Sequence, residues 1–322
     1  MTTLRLSLGS AIALGLKDGS LPHPPTTAYI MVGDSCASGC LFCTQGRAAV
    51  AGSDKLSRVT WPAYAEEGIL RALEGAVNRG FGRICFQVLV DPGAMRDLPG
   101  LVGKLKAASD LPISISISPV PKAFMEELKR CGADRIGIAL DGASEVVFER
   151  VKGASAGNPY SYTGHKEAIK EALSIFGRGN VSTHIIVGLG ETDKDIFDTM
   201  LWCRSEGILL SLFAYTHVKG TERLGDPPDL GRYRALQVLR HLVFERYAPP
   251  GCAGFDGSGW IERIEWSLVG DKGRMFQTRG CPDCNRPYYT ESPKGPIYNY
   301  PYDYDEEIGV RSISEAKRYV GN

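Results

Sequence analysis

Three cysteines in one short segment are the residues with the clearest capacity for chemistry. Cys36, Cys40 and Cys43 follow an apolar stretch that predicts a β-strand, and Gly39 allows the segment to form a tight loop. Three thiolates from one loop can ligate three irons of a [4Fe–4S] cubane and leave the fourth iron open. Structural zinc usually takes four ligands, and no fourth cysteine or histidine lies near this loop in the sequence. We therefore expect a cluster, with zinc binding or simple burial of the thiols as the alternatives.

A second group of cysteines lies near the C-terminus. Cys281 and Cys284 are separated by two residues, a spacing that suits zinc, an iron–sulfur cluster or a redox pair. Cys252 is the expected third partner because it lies in the same part of the chain beside flexible glycines. The candidates for the fourth ligand are Ser312 and Ser314, and the alternative is that the protein supplies no fourth ligand. We expect a second [4Fe–4S] cluster here, with zinc or a thiol pair as alternatives.

The remaining cysteines fall in segments with strand or helix patterns. We expect them to be buried as small apolar side chains, the usual fate of a free thiol. They are Cys85, Cys131 and Cys203.

Composition and length limit the class of protein. The chain has 322 residues, enough for one large α/β domain with an appendage or for two domains. Its 37 basic and 37 acidic residues cancel, so no charge excess indicates nucleic acid as a partner. No apolar run approaches the roughly 18 residues that cross a bilayer, and no secretory signal pattern opens the chain. We expect a cytoplasmic protein, in which nine cysteines favour metal or redox chemistry over disulfides.

From residue 28 onward an apolar stretch, a polar loop and a segment of helical periodicity alternate. Strands are predicted at 29–32, 83–90, 113–118, 136–140, 182–187 and 209–214. Helices are predicted at 4–16, 61–78, 98–108, 122–129, 144–151, 164–175, 194–205 and 230–247. This order predicts parallel strands covered by an outer layer of helices.

The six strand–helix units predict an α/β fold, a partial (β/α)6 TIM-like barrel. We expect an N-terminal extension at 1–27, the barrel at 28–220 and a C-terminal extension at 221–322 that carries the second cysteine group. In such barrels the reactive groups lie on loops at the C-terminal ends of the strands, where the first three cysteines fall.

The segment from Cys36 to Cys43 reads Cys-x-x-x-Cys-x-aromatic-Cys after the first barrel strand, and it resembles the signature of the radical S-adenosylmethionine (SAM) superfamily. The resemblance covers about residues 28–220. It implies that SAM binds the open iron and yields a 5′-deoxyadenosyl radical. It also implies that Phe42 lies near the adenine and that the backbone of Gly188, Leu189 and Gly190 contacts it.

Other superfamily positions match less closely. The Gly-Gly-Glu motif that commonly follows the second strand is replaced, and the resemblance implies Gln87 or Asp91 as its substitute. It also implies that Arg150 pairs with the SAM carboxylate, for which a planar two-pronged donor is suited, and that Asp141 binds the ribose. The alternatives are ordinary strand-end and loop polar groups, and a surface arginine on an amphipathic helix.

Segments 6–13, 25–29, 56–59 and 280–289 resemble the biotin-synthase-related branch, in particular one component of the two-protein lipoyl synthases. That resemblance implies sulfur insertion into an octanoyl chain carried on a lysine of a lipoyl domain or H protein. The auxiliary cluster would donate the sulfur, a second related component would perform one insertion, and a donor such as ferredoxin would supply electrons.

Two other functional classes remain open from the sequence. Another radical SAM reaction, such as methylation or peptide modification, would use the second cluster to bind substrate or relay electrons. A non-catalytic iron–sulfur or zinc protein would bind a partner through its C-terminal extension. The Tyr- and Pro-rich segment 287–304 is expected either to line an acyl channel or to form a packed tail.

Overall fold

The computed structural model describes residues 4–270 and 273–321. The strands are Leu4–Leu6 (β1), Thr27–Val32 (β2), Lys55–Leu56 (β3), Val59–Thr60 (β4), Ala63–Tyr64 (β5), Arg83–Val88 (β6), Ile113–Ser116 (β7), Ala133–Gly137 (β8), Val181–Val187 (β9), Leu209–Ala214 (β10), Ala253–Phe255 (β11) and Ile261–Ile264 (β12). The helices are Leu8–Ala13 (α1), Glu66–Leu73 (α2), Pro92–Ala108 (α3), Lys122–Arg130 (α4), Glu145–Val151 (α5), Tyr162–Phe176 (α6), Asp193–Glu206 (α7), Leu230–Phe244 (α8) and Glu306–Val320 (α9).

The main sheet has eight strands in the order β10-β9-β8-β7-β6-β2-β1-β5. The six strands from β10 to β2 are parallel, whereas β1 pairs antiparallel with both β2 and β5. The two ends of the sheet, β10 and β5, are not paired with each other, so the sheet is an open barrel. The predicted α/β class with a partial six-unit barrel is confirmed.

Alternation along the strands separates the core from the barrel interior. In β6, Ile84 and Phe86 belong to the large hydrophobic core under the helices. Arg83, Cys85 and Gln87 point the other way, because successive side chains of a strand face opposite sides, and they border cavities inside the barrel.

The N-terminal segment differs from the predicted helix at 4–16. Residues Leu4–Leu6 form β1, which pairs with β2, and the helix begins only after Ser7. The Ser7 side chain accepts a hydrogen bond from the backbone of Ser10 at 3.2 Å, which caps the helix at that point. The prediction of helix over residues 4–6 was wrong because pairing with β2 outweighs local helix propensity.

The predicted helix at 61–78 is also shorter in the structure. It is reduced to α2, which Gly75 ends with a left-handed φ of 71°, and a 3₁₀ turn at Ala76–Arg79 follows. Trp61 lies before the helix and is fully buried against Tyr289 of the C-terminal extension. A long-range contact therefore replaces the first turn that periodicity predicts.

The C-terminal extension packs on the barrel through α8 and then crosses its open side. Arg234 of α8 is 1% exposed and donates hydrogen bonds to the carbonyls of Ile297 and Tyr298, both at 2.5 Å. Further along, the Arg286 guanidinium lies 5.8 Å from the ring centre of Tyr29 in β2 and 5.1 Å from that of Phe213 in β10. The extension thus bridges the first and last parallel strands, which the sheet leaves unpaired.

Within residues 4–270 and 273–321, no helix has the length and apolarity needed to span a bilayer.

Candidate functional site

The loop that follows β2 carries the first three cysteines to the C-terminal end of the barrel. Cys36, Cys40 and Cys43 all border one cavity of about 240 Å³, here called the upper cavity. The Gly39 amide donates to Asn158 Oδ1 at 2.6 Å, which fixes the middle of the loop. A Cβ atom at Gly39 would lie 2.2 Å from the Ala156 carbonyl oxygen, so only glycine fits there.

The environment of these thiols suits a bound iron–sulfur cluster. Burial raises the pKa of Cys40, and it raises that of Cys43 to about 12. Such thiols release their protons when a cation takes the proton's place, as in metal binding. No group of three or more Cys, His, Asp or Glu side chains in residues 4–270 and 273–321 could hold a metal ion. In a cubane each thiolate bonds a different iron, so the sulfurs stand wider apart than ligands of one ion.

A charged network forms one wall of the upper cavity. Asp141 is 4% exposed, and Lys152 Nζ donates to its Oδ2 at 2.7 Å. The Nε2 atom of His184 lies 2.7 Å from Asp141 Oδ1. A backbone hydrogen bond holds Asp141 beside His184, since the Asp141 amide donates to the His184 carbonyl at 2.9 Å. All three side chains border the cavity.

The same network fixes the ionisation of Asp141. Burial alone would raise the pKa of the carboxyl group, but the Lys152 ammonium and the contact with His184 outweigh it and hold the pKa well below its usual range. Asp141 raises the pKa of Lys152 in return, against the effect of burial. The cavity therefore presents a fixed carboxylate and a fixed ammonium side by side. Such a pair can bind the hydroxyl and carboxylate groups of a polar cofactor.

Two more predicted residues reach this cavity. Phe42 borders it and packs on Val151 and Leu189 in a small apolar cluster. Gln87 borders it too, and its Nε2 donates to Cys85 Sγ at 3.1 Å. Its amide is therefore engaged with a thiol of the barrel interior.

Asp91, the alternative to Gln87, has a structural role as a helix cap. Its Oδ1 accepts a hydrogen bond from the Ala94 amide at 2.7 Å and caps α3, whose first residue is Pro92. This carboxylate is used at the helix start and does not border the upper cavity.

The remaining predicted SAM contacts lie behind the cavity wall. Arg150 donates to the Leu189 carbonyl, and it does not border the upper cavity. Gly188 and Gly190 have φ of 106° and 102°, which suits glycine. The buried Glu191 accepts hydrogen bonds from the amides of Gly188 and Leu189 at 2.8 and 2.9 Å. Arg150 and Glu191 thus hold the loop after β9, and the residues of this strand that border the cavity are His184 and Ile186.

The second cysteine pair enters the barrel from its opposite, N-terminal end. Cys281 and Cys284 border a small cavity of about 40 Å³ inside the barrel, here called the lower cavity. Cys85 of β6 borders the same cavity, together with Arg286. His184 and Arg286 border both the lower and the upper cavity, so the two spaces adjoin.

The structure does not bring Cys252 to this pair. Cys252 is 1% exposed in the hydrophobic core, and its carbonyl accepts from the Glu265 amide at 2.8 Å. It ends a 3₁₀ turn ahead of β11 and borders neither cavity. Ser312, a suggested fourth ligand, is fully buried in α9.

Comparison with protein families decides the larger class. A model described as the radical SAM superfamily matches residues 30–203, more than half of the chain. The chain belongs to the radical SAM superfamily. A sequence comparison with curated proteins finds no match.

Solved structures share the fold at low sequence identity. Methylornithine synthase (PylB) matches with a TM-score of 0.51 and 17% identity, over 62% of this chain and 56% of that one. The [FeFe]-hydrogenase maturase HydG from Carboxydothermus hydrogenoformans matches with a TM-score of 0.54 and 14% identity, over 69% and 52%. SuiB of Streptococcus suis matches with a TM-score of 0.51 and 15% identity, over 66% and 45%. The chain thus spans about half the length of these proteins.

Membership in the radical SAM superfamily carries a [4Fe–4S] cluster and SAM as cofactors. The loop of Cys36, Cys40 and Cys43 fits that cluster because its thiols face one cavity and its backbone is fixed by Asn158 and Gly39.

Sequence reasoning missed Lys152, His184 and the position of Cys85. The alternation of β9 places His184 on the inner face with Ser182 and Ile186, so a period-two count predicts that it faces the barrel. Lys152 follows the last turn of α5, and no local pattern shows that its side chain turns inward to Asp141.

Proposed function

We propose that this radical SAM enzyme inserts sulfur into an unactivated C–H bond of an octanoyl group attached to a protein lysine. The sulfur donor would be a second iron–sulfur cluster held by Cys281 and Cys284. One observation supports the proposal most strongly. The second cysteine pair lies in the same barrel interior as the loop of Cys36, Cys40 and Cys43 (the radical loop), and His184 and Arg286 border the spaces next to both.

The cofactors would supply the difficult chemistry and the chain would orient them. When bound, SAM and its cluster supply a 5′-deoxyadenosyl radical that removes hydrogen from the acyl chain, and the second cluster supplies sulfide. Cys36, Cys40 and Cys43 would hold the first cluster, as their shared cavity supports.

Side chains of the upper cavity provide suitable contacts for SAM. Lys152 offers a fixed positive charge to the methionine carboxylate, and Asp141 offers a fixed acceptor to the ribose hydroxyls or the amino group. Phe42 and Ile186 offer apolar surface to the adenine. In this proposal Arg150 acts through the backbone of Leu189 and does not touch SAM.

The rest of the cavity wall offers apolar surface to an acyl chain. It is bordered by apolar and aromatic side chains from strands and loops, among them Leu56, Leu89, Phe213, Tyr215, Val218 and Tyr289. In the Tyr-rich segment 287–304, Tyr289 faces this cavity, whereas Tyr298 stacks on Tyr233 of α8 with 5.0 Å between ring centres. One part of the segment therefore supports a channel and another forms packed structure.

The proposed partners follow from the proposed substrate. They are an octanoylated lipoyl domain or H protein, a second radical SAM component that performs the other insertion, and a reducing protein such as ferredoxin. The two insertions would occur at C6 and C8 of the acyl chain.

The test uses the protein with both clusters reconstituted under anaerobic conditions. We expect an octanoyl-lysyl peptide, SAM, a strong reductant and the partner component to yield a thiolated peptide, measured by mass spectrometry. The Cys281→Ala/Cys284→Ala variant should lose this product because it lacks the donor ligands, while it still forms 5′-deoxyadenosine. Formation of the C–S bond by that variant would refute the donor role.

A different radical reaction gives a different result in the same assay. If the second cluster only binds substrate or relays electrons, its sulfide remains unchanged after turnover. If the protein is not an enzyme, no 5′-deoxyadenosine forms when SAM and reductant are supplied.

A further inference from the structure

The segment with Cys281 and Cys284 is fixed against the starts of two neighbouring strands. Arg83 Nε donates to the Pro282 carbonyl at 3.0 Å, and the Thr27 hydroxyl donates to the Asp283 carbonyl at 2.6 Å. The Thr26 amide donates to Asn285 Oδ1 at 3.0 Å. The first two bonds attach the carbonyls of both residues between the two cysteines to β6 and β2.

This attachment brings the pair to a third thiol. Cys85 lies two residues after Arg83 on the same inward face of β6, and it borders the lower cavity with Cys281 and Cys284. Cys284 packs against the apolar cluster that contains Cys85 and Tyr29. The β2–β6 register sets Tyr29 directly opposite Cys85.

Each thiol also has a polar neighbour that can hydrogen-bond to sulfur. Gln87 Nε2 donates to Cys85 Sγ at 3.1 Å, and the Tyr29 hydroxyl lies 3.5 Å from Cys284 Sγ. Cys281 Sγ lies 3.9 Å from the Ser182 hydroxyl of β9. Hydrogen bonds to cluster sulfurs adjust the stability and potential of an iron–sulfur centre.

A cation faces the same space. The Arg286 guanidinium borders both cavities and lies 5.8, 5.1 and 5.1 Å from the ring centres of Tyr29, Phe213 and Tyr289. Across residues 4–270 and 273–321 it forms no ion pair with a carboxylate. A charge enclosed in a barrel requires an anionic partner, and thiolates bound to iron and sulfide supply one.

We infer that Cys85, Cys281 and Cys284 ligate the second iron–sulfur cluster inside the barrel, with Arg286 as its charge partner. Cys252 plays no part in this site. The use of the cluster as a sulfur donor rests on the proposed function, but the ligand set does not.

The lower cavity adjoins a larger space at the N-terminal end of the barrel, which Cys85 does not border. Cys281 and Cys284 also border a cleft of about 960 Å³ at that end, which adjoins the lower cavity. Iron and sulfide can reach the site through this cleft, on the opposite side from the radical loop.

Iron binding in a background without the first cluster tests the ligand set directly. The Cys36→Ala/Cys40→Ala/Cys43→Ala variant should retain about four irons per chain, with a [4Fe–4S] signal in Mössbauer spectra. Adding Cys85→Ala should reduce this iron several-fold. Adding Cys252→Ala should leave it unchanged, as should Cys203→Ala, a matched control because Cys203 is likewise fully buried in the hydrophobic core.

Full iron retention after Cys85→Ala would overturn the inference, as would loss of iron after Cys252→Ala alone. Circular dichroism and urea unfolding of the apoproteins separate ligand loss from misfolding. If Cys85→Ala does not fold, Cys85→Ser decides, because an oxygen ligand changes the EPR spectrum of the reduced cluster and a merely structural residue does not.

The charge role of Arg286 is tested by the reduction potential of the second cluster. Arg286→Met should lower the reduction potential of the second cluster, because reduction adds negative charge that the guanidinium no longer offsets. An unchanged potential would contradict the assigned charge role. A cluster that binds at Cys85 yet yields no thiolated octanoyl product would refute the proposed function and leave this ligand set intact.

Discussion

At the scale of single residues, the buried Asp141 carboxylate organises the charges of the upper cavity. It contacts Lys152 and His184 at 2.7 Å each, and both it and Lys152 are almost fully buried. Removing one partner of such a pair leaves an uncompensated charge in a low-dielectric site, which costs far more than a surface salt bridge. Stability should therefore depend on this carboxylate, and in the proposed function SAM binding depends on it as well.

Asp141→Asn removes the negative charge that faces Lys152. We expect a loss of about 3–5 kcal/mol in the free energy of unfolding, because Lys152 remains buried without its counter-charge. Urea denaturation of the apoprotein at pH 7 measures this. The matched control is Asp198→Asn, which breaks the exposed pair with Lys194 and should cost below about 1 kcal/mol. Equal effects of the two substitutions would contradict the account.

The pH dependence of stability follows from the same pKa. Because the folded pKa of Asp141 is lowered, its carboxylate stabilises the fold above the unfolded pKa of about 4, and this contribution is lost as the pH falls further. The acid side of the stability profile should therefore be flatter in Asp141→Asn than in the wild type. Parallel acid profiles would show that the carboxylate is not stabilised by its neighbours.

Local sequence signals found the residues of continuous motifs and missed those that meet across the fold. The spacing of Cys36, Cys40 and Cys43 predicted a shared site, and the three thiols border one cavity. Cys85 was expected to be only a small buried side chain. Its place beside Cys281 depends on a segment nearly 200 residues later that hydrogen-bonds to the start of β6, which no local pattern records.

At the scale of elements, the loop after β2 depends on close backbone approach. Gly39 lies against the Ala156 carbonyl, and the Leu41 amide donates to the Val151 carbonyl at 3.0 Å. The radical loop is thus built on α5 and the turn that follows it.

The element-scale prediction is that Gly39→Ala displaces this loop. Its Cβ would stand 2.2 Å from a carbonyl oxygen, so the backbone must shift and the three thiols with it. We expect a large loss of the iron bound by the first cluster and of 5′-deoxyadenosine formation. Gly103→Ala is the control, because α3 leaves open space there and alanine should stabilise the helix by about 1 kcal/mol. Normal cluster content in Gly39→Ala would contradict the prediction.

The predicted elements agree best with the structure where periodicity and tertiary packing favour the same element. The predicted strand at 209–214 matches β10, and helix 122–129 differs from α4 by one residue. The predicted strand 136–140 is displaced relative to β8, because the ladder continues irregularly to an isolated bridge between Asp141 and Ile185. Apolar pattern alone does not distinguish that bridge from a regular strand.

At the scale of the whole molecule, two groups of cysteines approach one barrel interior from opposite ends. The first lies at the C-terminal ends of the strands and the second at their N-terminal ends. Arg286 and His184 face the space between them. In the proposed function, this arrangement would place a substrate carbon in the upper cavity between the source of the radical and the source of sulfur.

In the proposed function, the second cluster gives up its sulfur to the substrate. The most direct measurement is anaerobic quantification of iron, acid-labile sulfide and thiolated octanoyl peptide in the same reaction, before and after turnover. We expect about eight irons per chain at the start and a fall in sulfide that matches the product formed. A thiolated product formed while the sulfide content stays constant would contradict it.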